Sequence, residues 1–241
     1  MRLPVIQGVI RRRILINFRV APDVLQQQLP GRFRPKLHDG SAIAGVCLIR
    51  LEQIRPKLIP AAFGHSSENS AHRMAVLWEN ERGESQEGVF ISRRDTNSIL
   101  NHLAGGRLFP GEHHHADFQV HESDQQIDLQ MKSRDSQVTV AVQGRIDSEL
   151  PTTSRFIDLS AASDFFEPGS IGYSETAQGN RLDGLKLKTK TWRVEPLKVE
   201  EVFSSYFADE TKFPKGSVEF DCALIMRNIE HQWLSEPDLY V

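Results

Sequence analysis

The chain has few of the residues that staple small folds or coat nucleic acids. It carries two cysteines in 241 residues, Cys47 in AGVCLIR and Cys222 in FDCALIM, so neither a disulfide framework nor a CxxC metal pair can form. Their apolar surroundings lead us to expect two buried thiols in a cytoplasmic protein, with one long-range disulfide as the alternative. No apolar run approaches the roughly 18 residues of a helical membrane span. Basic residues are not in excess: Lys and Arg number 29 against 32 Asp and Glu, for a formal charge of -3, which argues against a general nucleic-acid binder. HExxH, Walker, Rossmann and GxSxG patterns are all missing, as are internal repeats and low-complexity tracts. In the opening MRLPVIQGVIRRRILINFRV, Arg11, Arg12 and Arg13 interrupt the apolar run and no small-residue cleavage site follows. Mature protein is expected there, not a signal peptide.

Short alternating segments are abundant. ILINFRV, AIAGVCLIRL, HRMAVLW, EGVFISR, HADFQVH, QIDLQMK, QVTVAVQGRI, LKLKTKTWRV and SVEFDCALIM all have strand length or strand alternation. Val138, Val140 and Val142 share one face, and the row Lys186, Lys188, Lys190 lies opposite Leu185 and Leu187. ENERGES and KSRDSQ are short joins that favour antiparallel hairpins over βαβ units. Helices are expected over Pro22–Leu29 and Thr96–Leu103, the second capped by Asp95 and ended by Gly105 or Gly106, with a weaker one at Ser160–Phe166. The irregular stretch from Glu149 to Gly184 is too aromatic for a linker and is expected to pack against a sheet, over a pocket mouth. The reading is one α+β domain spanning 1–241, mostly antiparallel.

The chemistry concentrates in GGRLFPGEHHHADF, Gly105 to Phe118. On a strand, His113 and His115 face one way while Glu112 and His114 face the other, so the three histidines cannot converge on one ion. His113, His115 and Asp117 do share a face. A metal site, a hydrogen-bonded polar edge and a non-metal ligand pocket are therefore all open readings, and no stoichiometric transition metal is expected. Arg107, just past the double glycine, is set either to pair with a carboxylate or to close the helix C-terminus. Glu87, at the start of a strand running toward Asp95, is expected near the same layer.

Taken together, INFRVAPDVLQQQLPGRFRPKLHDGSAIAGVCLIRL, EGVFISRRDTNSILNHLAGGRLFPGEHHHADF, TWRVEPL and SVEFDCALIMRNIEHQW resemble the uncharacterised YqjF-like family of bacterial proteins (domain of unknown function 2071). That family is related to the acetoacetate decarboxylase-like superfamily. The likeness covers nearly the whole chain, most strongly its first half. It implies a mostly antiparallel, strongly curved sheet around a central cavity, and a possible homo-oligomer. True acetoacetate decarboxylases use a lysine Schiff base. Here Gly106-Arg107 is kept, Leu108 replaces a glutamate, and His114 and His115 stand where the lysine pair would fall. Arg11 or Arg12 falls where those enzymes place another pocket arginine. Histidine cannot form an iminium, so the resemblance does not carry the decarboxylase mechanism.

Two function classes follow. One is a protein that binds a small organic acid or carbonyl compound through Arg107, His114 and Arg11 or Arg12. The other is a lyase, isomerase or hydrolase that moves a proton with His113, His114 or His115, and so needs no cofactor. Neither involves nucleic acid or membrane. A scaffold with a cavity filled by apolar side chains is a third reading.

Overall fold

A computed structural model of the chain describes residues 5–104, 111–176 and 179–240. Strand β1 (Ile6–Val20) runs into helix α1 (Pro22–Gln27), where Pro22 sits in the first turn and its missing N–H leaves nothing unpaired. Two short strands, β2 (Arg34–Pro35) and β3 (Leu37–His38), precede the long β4 (Ser41–Pro56). Asp39 and Gly40 both have positive φ, the backbone that a tight two-residue turn between β3 and β4 requires. Next come β5 (His65–Glu79) and β6 (Ser85–Thr96), joined by a turn through Gly83 at φ 75°. Helix α2 (Ile99–Ala104), β7 (His113–Glu122), β8 (Gln126–Ser133) and β9 (Thr139–Ile146) follow. Helix α3 (Leu159–Phe166) and strands β10 (Ile171–Glu175), β11 (Arg181–Thr189), β12 (Glu195–Ser204) and β13 (Val218–Tyr240) end the described chain.

Two strands fork, and the forks close the sheet. β13, β1, β4, β5 and β6 are antiparallel neighbours. Val89 and Phe90 of β6 pair parallel with β10, whereas Arg94, Asp95 and Thr96 pair parallel with β7. One branch returns through β10 and β11 to the far end of β13; the other returns through β7, β8, β9 and β12 to its near end. The result is two closed rings sharing a five-strand wall. Closure leaves few free edges to pair with other chains. Except for the two parallel pairings at β6, every strand pairing is antiparallel among the described residues.

The shared wall buries both faces, as alternation requires. Ile14, Ile16, Phe18 and Val20 meet Ile127, Leu129, Val140 and Val142 on one side. Leu15, Cys47, Ala75, Cys222 and Leu224 meet Phe156, Phe165 and Phe166 on the other. The aromatic excursion therefore packs on the sheet as its composition suggested. Its helix is capped by Asp158, which accepts from Ala161 N at 2.8 Å. Cys47 and Cys222 are buried and unbridged.

The helices differ from expectation at their ends. α1 is two residues shorter than Pro22–Leu29, and α2 begins at Ile99, not Thr96. Asp95 does not cap α2: it is the penultimate residue of β6, fully buried, and Ser98 takes the capping place with its Oγ 3.1 Å from Asn101 N. Pairing with β7 holds the segment extended through Thr96. Among the described residues no helix is long and apolar enough to cross a membrane.

Candidate functional site

The β6 fork decides which way each histidine faces. Arg94 pairs with His113, Asp95 with His114, and Thr96 with His115. His113 and His115 therefore share the face of Arg94, and His114 shares that of Asp95. His114 Nδ1 lies 3.1 Å from Asp135, on the side where Arg93 bridges Asp95 and Asp135. His115 Nε2 lies 3.3 Å from the Asn97 carbonyl. His113 is buried, and its Nδ1–H donates to the Gly111 carbonyl at 3.2 Å, which leaves the lone pair on Nε2. Burial, with Arg94 nearby, drives its pKa down to about 3. It is neutral at physiological pH.

A cavity of about 70 Å³ opens beside His113, inside the ring closed by β10 and β11. Ile49 and Leu51 of β4, Ala71 of β5, Leu185 of β11 and Trp233 of β13 form its apolar walls. Its polar rim is held in place by a chain of hydrogen bonds. Thr96 Oγ1 donates to Asn69 Oδ1 at 2.8 Å, Asn69 Nδ2 donates to Ser67 Oγ at 2.9 Å, and His65 Nε2 is 2.8 Å from Ser98 Oγ.

Two charged residues line this cavity: Asp95, whose carboxylate is held by Arg93, and Arg94. Arg94 is half-buried, and its Nε donates to Ser174 Oγ at 3.2 Å. No carboxylate pairs with it among the described residues, and the segments outside them contain no acidic side chain. Desolvation pulls its pKa down to about 10, still well above neutrality. Two residues further along the same face of β5 from Ala71 lies Arg73, only 4% exposed. It donates to Asn17 Oδ1, sits 5.1 Å from the Phe166 ring centroid, and leaves its Nε without a partner. Burial lowers its pKa to about 10 as well. Arg73 lines a second, small cavity of about 20 Å³ together with Arg13 and Lys36. Arg13 Nε donates to Cys47 Sγ at 3.3 Å and has no carboxylate partner among the described residues.

The other expected site residues are distributed differently. Arg12 is fully buried on the opposite face, paired with Glu68 at 2.5 Å and Glu122 at 3.1 Å. Arg11 is exposed and donates to Asn228 Oδ1 at 2.6 Å. The arginine that β1 turns toward the cavities is Arg13, which shares the face of Leu15 by strand alternation. Glu87 is bound by Lys36 at 2.6 Å, seven positions along β6 from Arg94. Arg107 lies outside the described residues. Arg94 itself could have been found: in RRD, Arg93 and Asp95 share a strand face and satisfy each other, which leaves Arg94 alone on the reverse. Among the described residues no group of three or more His, Cys, Asp or Glu side chains could hold a metal ion.

Comparison with known proteins agrees with this architecture. The DUF2071 model, uncharacterized conserved protein, matches residues 9–220, and the chain belongs to that family. A search of curated sequences returns no significant match. Among solved structures, acetoacetate decarboxylase from Legionella pneumophila superposes with a TM-score of 0.60 at 12% identity, covering 98% of this chain and 88% of that one. An acetoacetate decarboxylase-like enzyme from Sphingomonas wittichii RW1 gives 0.60 at 11% identity, covering 99% and 93%. The enduracididine biosynthesis enzyme MppR with bound HEPES gives 0.63 at 8% identity, covering 100% and 88%. At these identities the likeness is one of fold.

Proposed function

We infer that the protein binds a small anionic organic molecule in the cavity beside His113, with Arg94 as the anchor for its charge. The observation that carries this reading is a half-buried guanidinium lining a cavity whose one acid, Asp95, is engaged by Arg93, so that Arg94 has no carboxylate partner among the described residues. A guanidinium taken from water loses hydration that only an anion or several acceptors restore, and a carboxylate matches its fork. Asn69, Ser67 and Asn101 line the same cavity as fixed polar partners, while Ile49, Leu51 and Trp233 suit an apolar body. The folds of the acetoacetate decarboxylases and of MppR, one form of which is a complex with pyruvate, support the use of this scaffold for small organic molecules.

Binding without proton transfer is favoured over the enzyme reading. A base is most effective when its pKa lies near the working pH, and His113 is held at about 3. Schiff-base chemistry also finds little support: among the described residues no lysine lines the Arg94 cavity, and Lys36 of the small cavity is ion-paired with Glu87. Calorimetric titration with a panel of small carboxylates and keto acids tests the assignment. At least one acid should bind the wild type, and Arg94→Met should abolish that binding while circular dichroism stays unchanged. Equal binding by the variant would remove Arg94 from the site.

A further inference from the structure

Three guanidiniums, those of Arg13, Arg73 and Arg94, face the same interior, and none has a carboxylate partner among the described residues. Arg55 and Arg227 also lack a carboxylate but donate to two backbone carbonyls each, and other arginines are ion-paired. Arg12 has Glu68 and Glu122, Arg19 has Glu219 and Asp221, and Arg93 has Asp95 and Asp135. Glu87 is engaged by Lys36, and Glu167 and Glu236, which line an open pocket with Arg13, make no ion pair with it among the described residues. A single carboxylate on Arg94 would leave Arg73 and Arg13 uncompensated, with the Arg73 Nε still lacking a partner.

We propose that one short dicarboxylate spans the two cavities, with one carboxylate on Arg94 and the other on Arg73 and Arg13. This rests on the anion-binding reading above and specifies the ligand. The register sets the spacing. Arg94 stands beside Ala71, and Arg73 lies two residues on, so the two Cα atoms are about 8 Å apart on adjacent strands. With both side chains reaching inward, that span suits a chain of roughly four to six carbons. Ala71 lines the Arg94 cavity, Leu15 and Ala75 line the small one, and the Cys47 thiol lies at the Arg13 side. These apolar side chains suit methylene groups. The small cavity of about 20 Å³ is enough for a carboxylate oxygen but not for a ring.

Glutarate and pentanoate have the same carbon count and differ by one carboxylate, so titrating the full chain with each, at matched ionic strength, isolates the second charge. Glutarate should bind at least about tenfold more tightly, the margin of one added charge-assisted contact. Arg73→Met, which keeps an apolar stem against Phe166, should erase that margin and leave pentanoate affinity unchanged. If that variant fails to fold, Arg13→Met makes the same test. Equal affinities in the wild type, or a margin that survives these substitutions, would overturn the dicarboxylate assignment and leave the Arg94 reading standing. Binding of neither acid, with no other acid of the panel bound, would overturn both.

Discussion

Arg93 and Arg94 are consecutive on β6 and have opposite surroundings. Arg93 turns into the ring closed by β7 and is held bidentately by Asp95 at 2.8 to 3.1 Å and by Asp135 at 2.8 Å. Arg94 turns into the other ring, meets the Ser174 hydroxyl, and finds no carboxylate among the described residues. Neighbours in sequence thus separate an ion-paired cation from one with no carboxylate partner among the described residues. The separation follows from the period of the strand alone.

Because Arg94 is desolvated without an ion partner, it weakens the ligand-free fold. Replacing it by methionine, of similar length and apolar, should raise the unfolding free energy by about 1–2 kcal/mol even after the Ser174 hydrogen bond is lost. Urea unfolding of wild type and Arg94→Met without added acids measures this. Destabilisation of more than that size would make Arg94 a structural residue and argue against a site built around it.

Arg93→Met should do the reverse. It strips the partner from Asp95, a fully buried carboxylate whose pKa burial already pushes upward against the pull of Arg93. Removing one member of a buried pair typically costs about 3–5 kcal/mol. Adding Asp95→Asn to the same chain should recover a substantial part, since the uncompensated charge goes with it. A double variant as unstable as Arg93→Met would mean that the loss comes from packing or from Asp135.

Gly45 tests the shared wall. A Cβ at this position of β4 would stand 2.0 Å from the Ile16 carbonyl oxygen and 3.0 Å from its carbon. Both are backbone atoms of β1, which is paired on both sides and cannot withdraw. Gly45→Ala should therefore cost at least the about 1–3 kcal/mol of ordinary overpacking. Gly31→Ala, where nothing lies within 4 Å, should be near neutral. A thermal melt of Gly45→Ala matching that control would mean β1 and β4 can part here.

Most strands, the hairpin turns and the packed aromatic excursion were legible in the sequence, because period-two alternation and turn residues act over short distances. The site was less so, and the main reason is not local. The parallel register of β6 with β7 puts Arg94 beside His113, and it joins segments on either side of α2. The resemblance places a pocket arginine at Arg11 or Arg12, whereas the arginine of β1 that shares the face of Leu15 and lines the small cavity is Arg13. Asp95 was misread for a related reason: an acid before an apolar helix looks like a cap, yet a buried Arg93 two positions earlier on the same strand claims it.

Acid should destabilise the protein before its carboxylates titrate. His72, His113 and His231 are 0%, 8% and 3% exposed, and burial lowers their pKa values to about 3, about 3 and about 4. In the unfolded chain each titrates near about 6.5. Between those values the unfolded state binds more protons than the native one, so stability rises with pH. The contribution of neutral burial is complete above about pH 6.5 and is lost progressively as pH falls toward the folded values. Glu68 and Asp95, whose pKa values burial raises, act in the opposite sense and offset part of the loss. The window between about pH 7.5 and about pH 5.5 brackets the unfolded histidine value. The urea midpoint should fall across it, and fall less in His72→Phe, whose ring can keep the contacts with Tyr206 and Phe207 at 4.7 and 5.9 Å. An equal midpoint at both pH values would mean that the buried rings are already protonated in the native state, with acceptors for their protons, and the neutral His113 beside Arg94 would have to be abandoned with them.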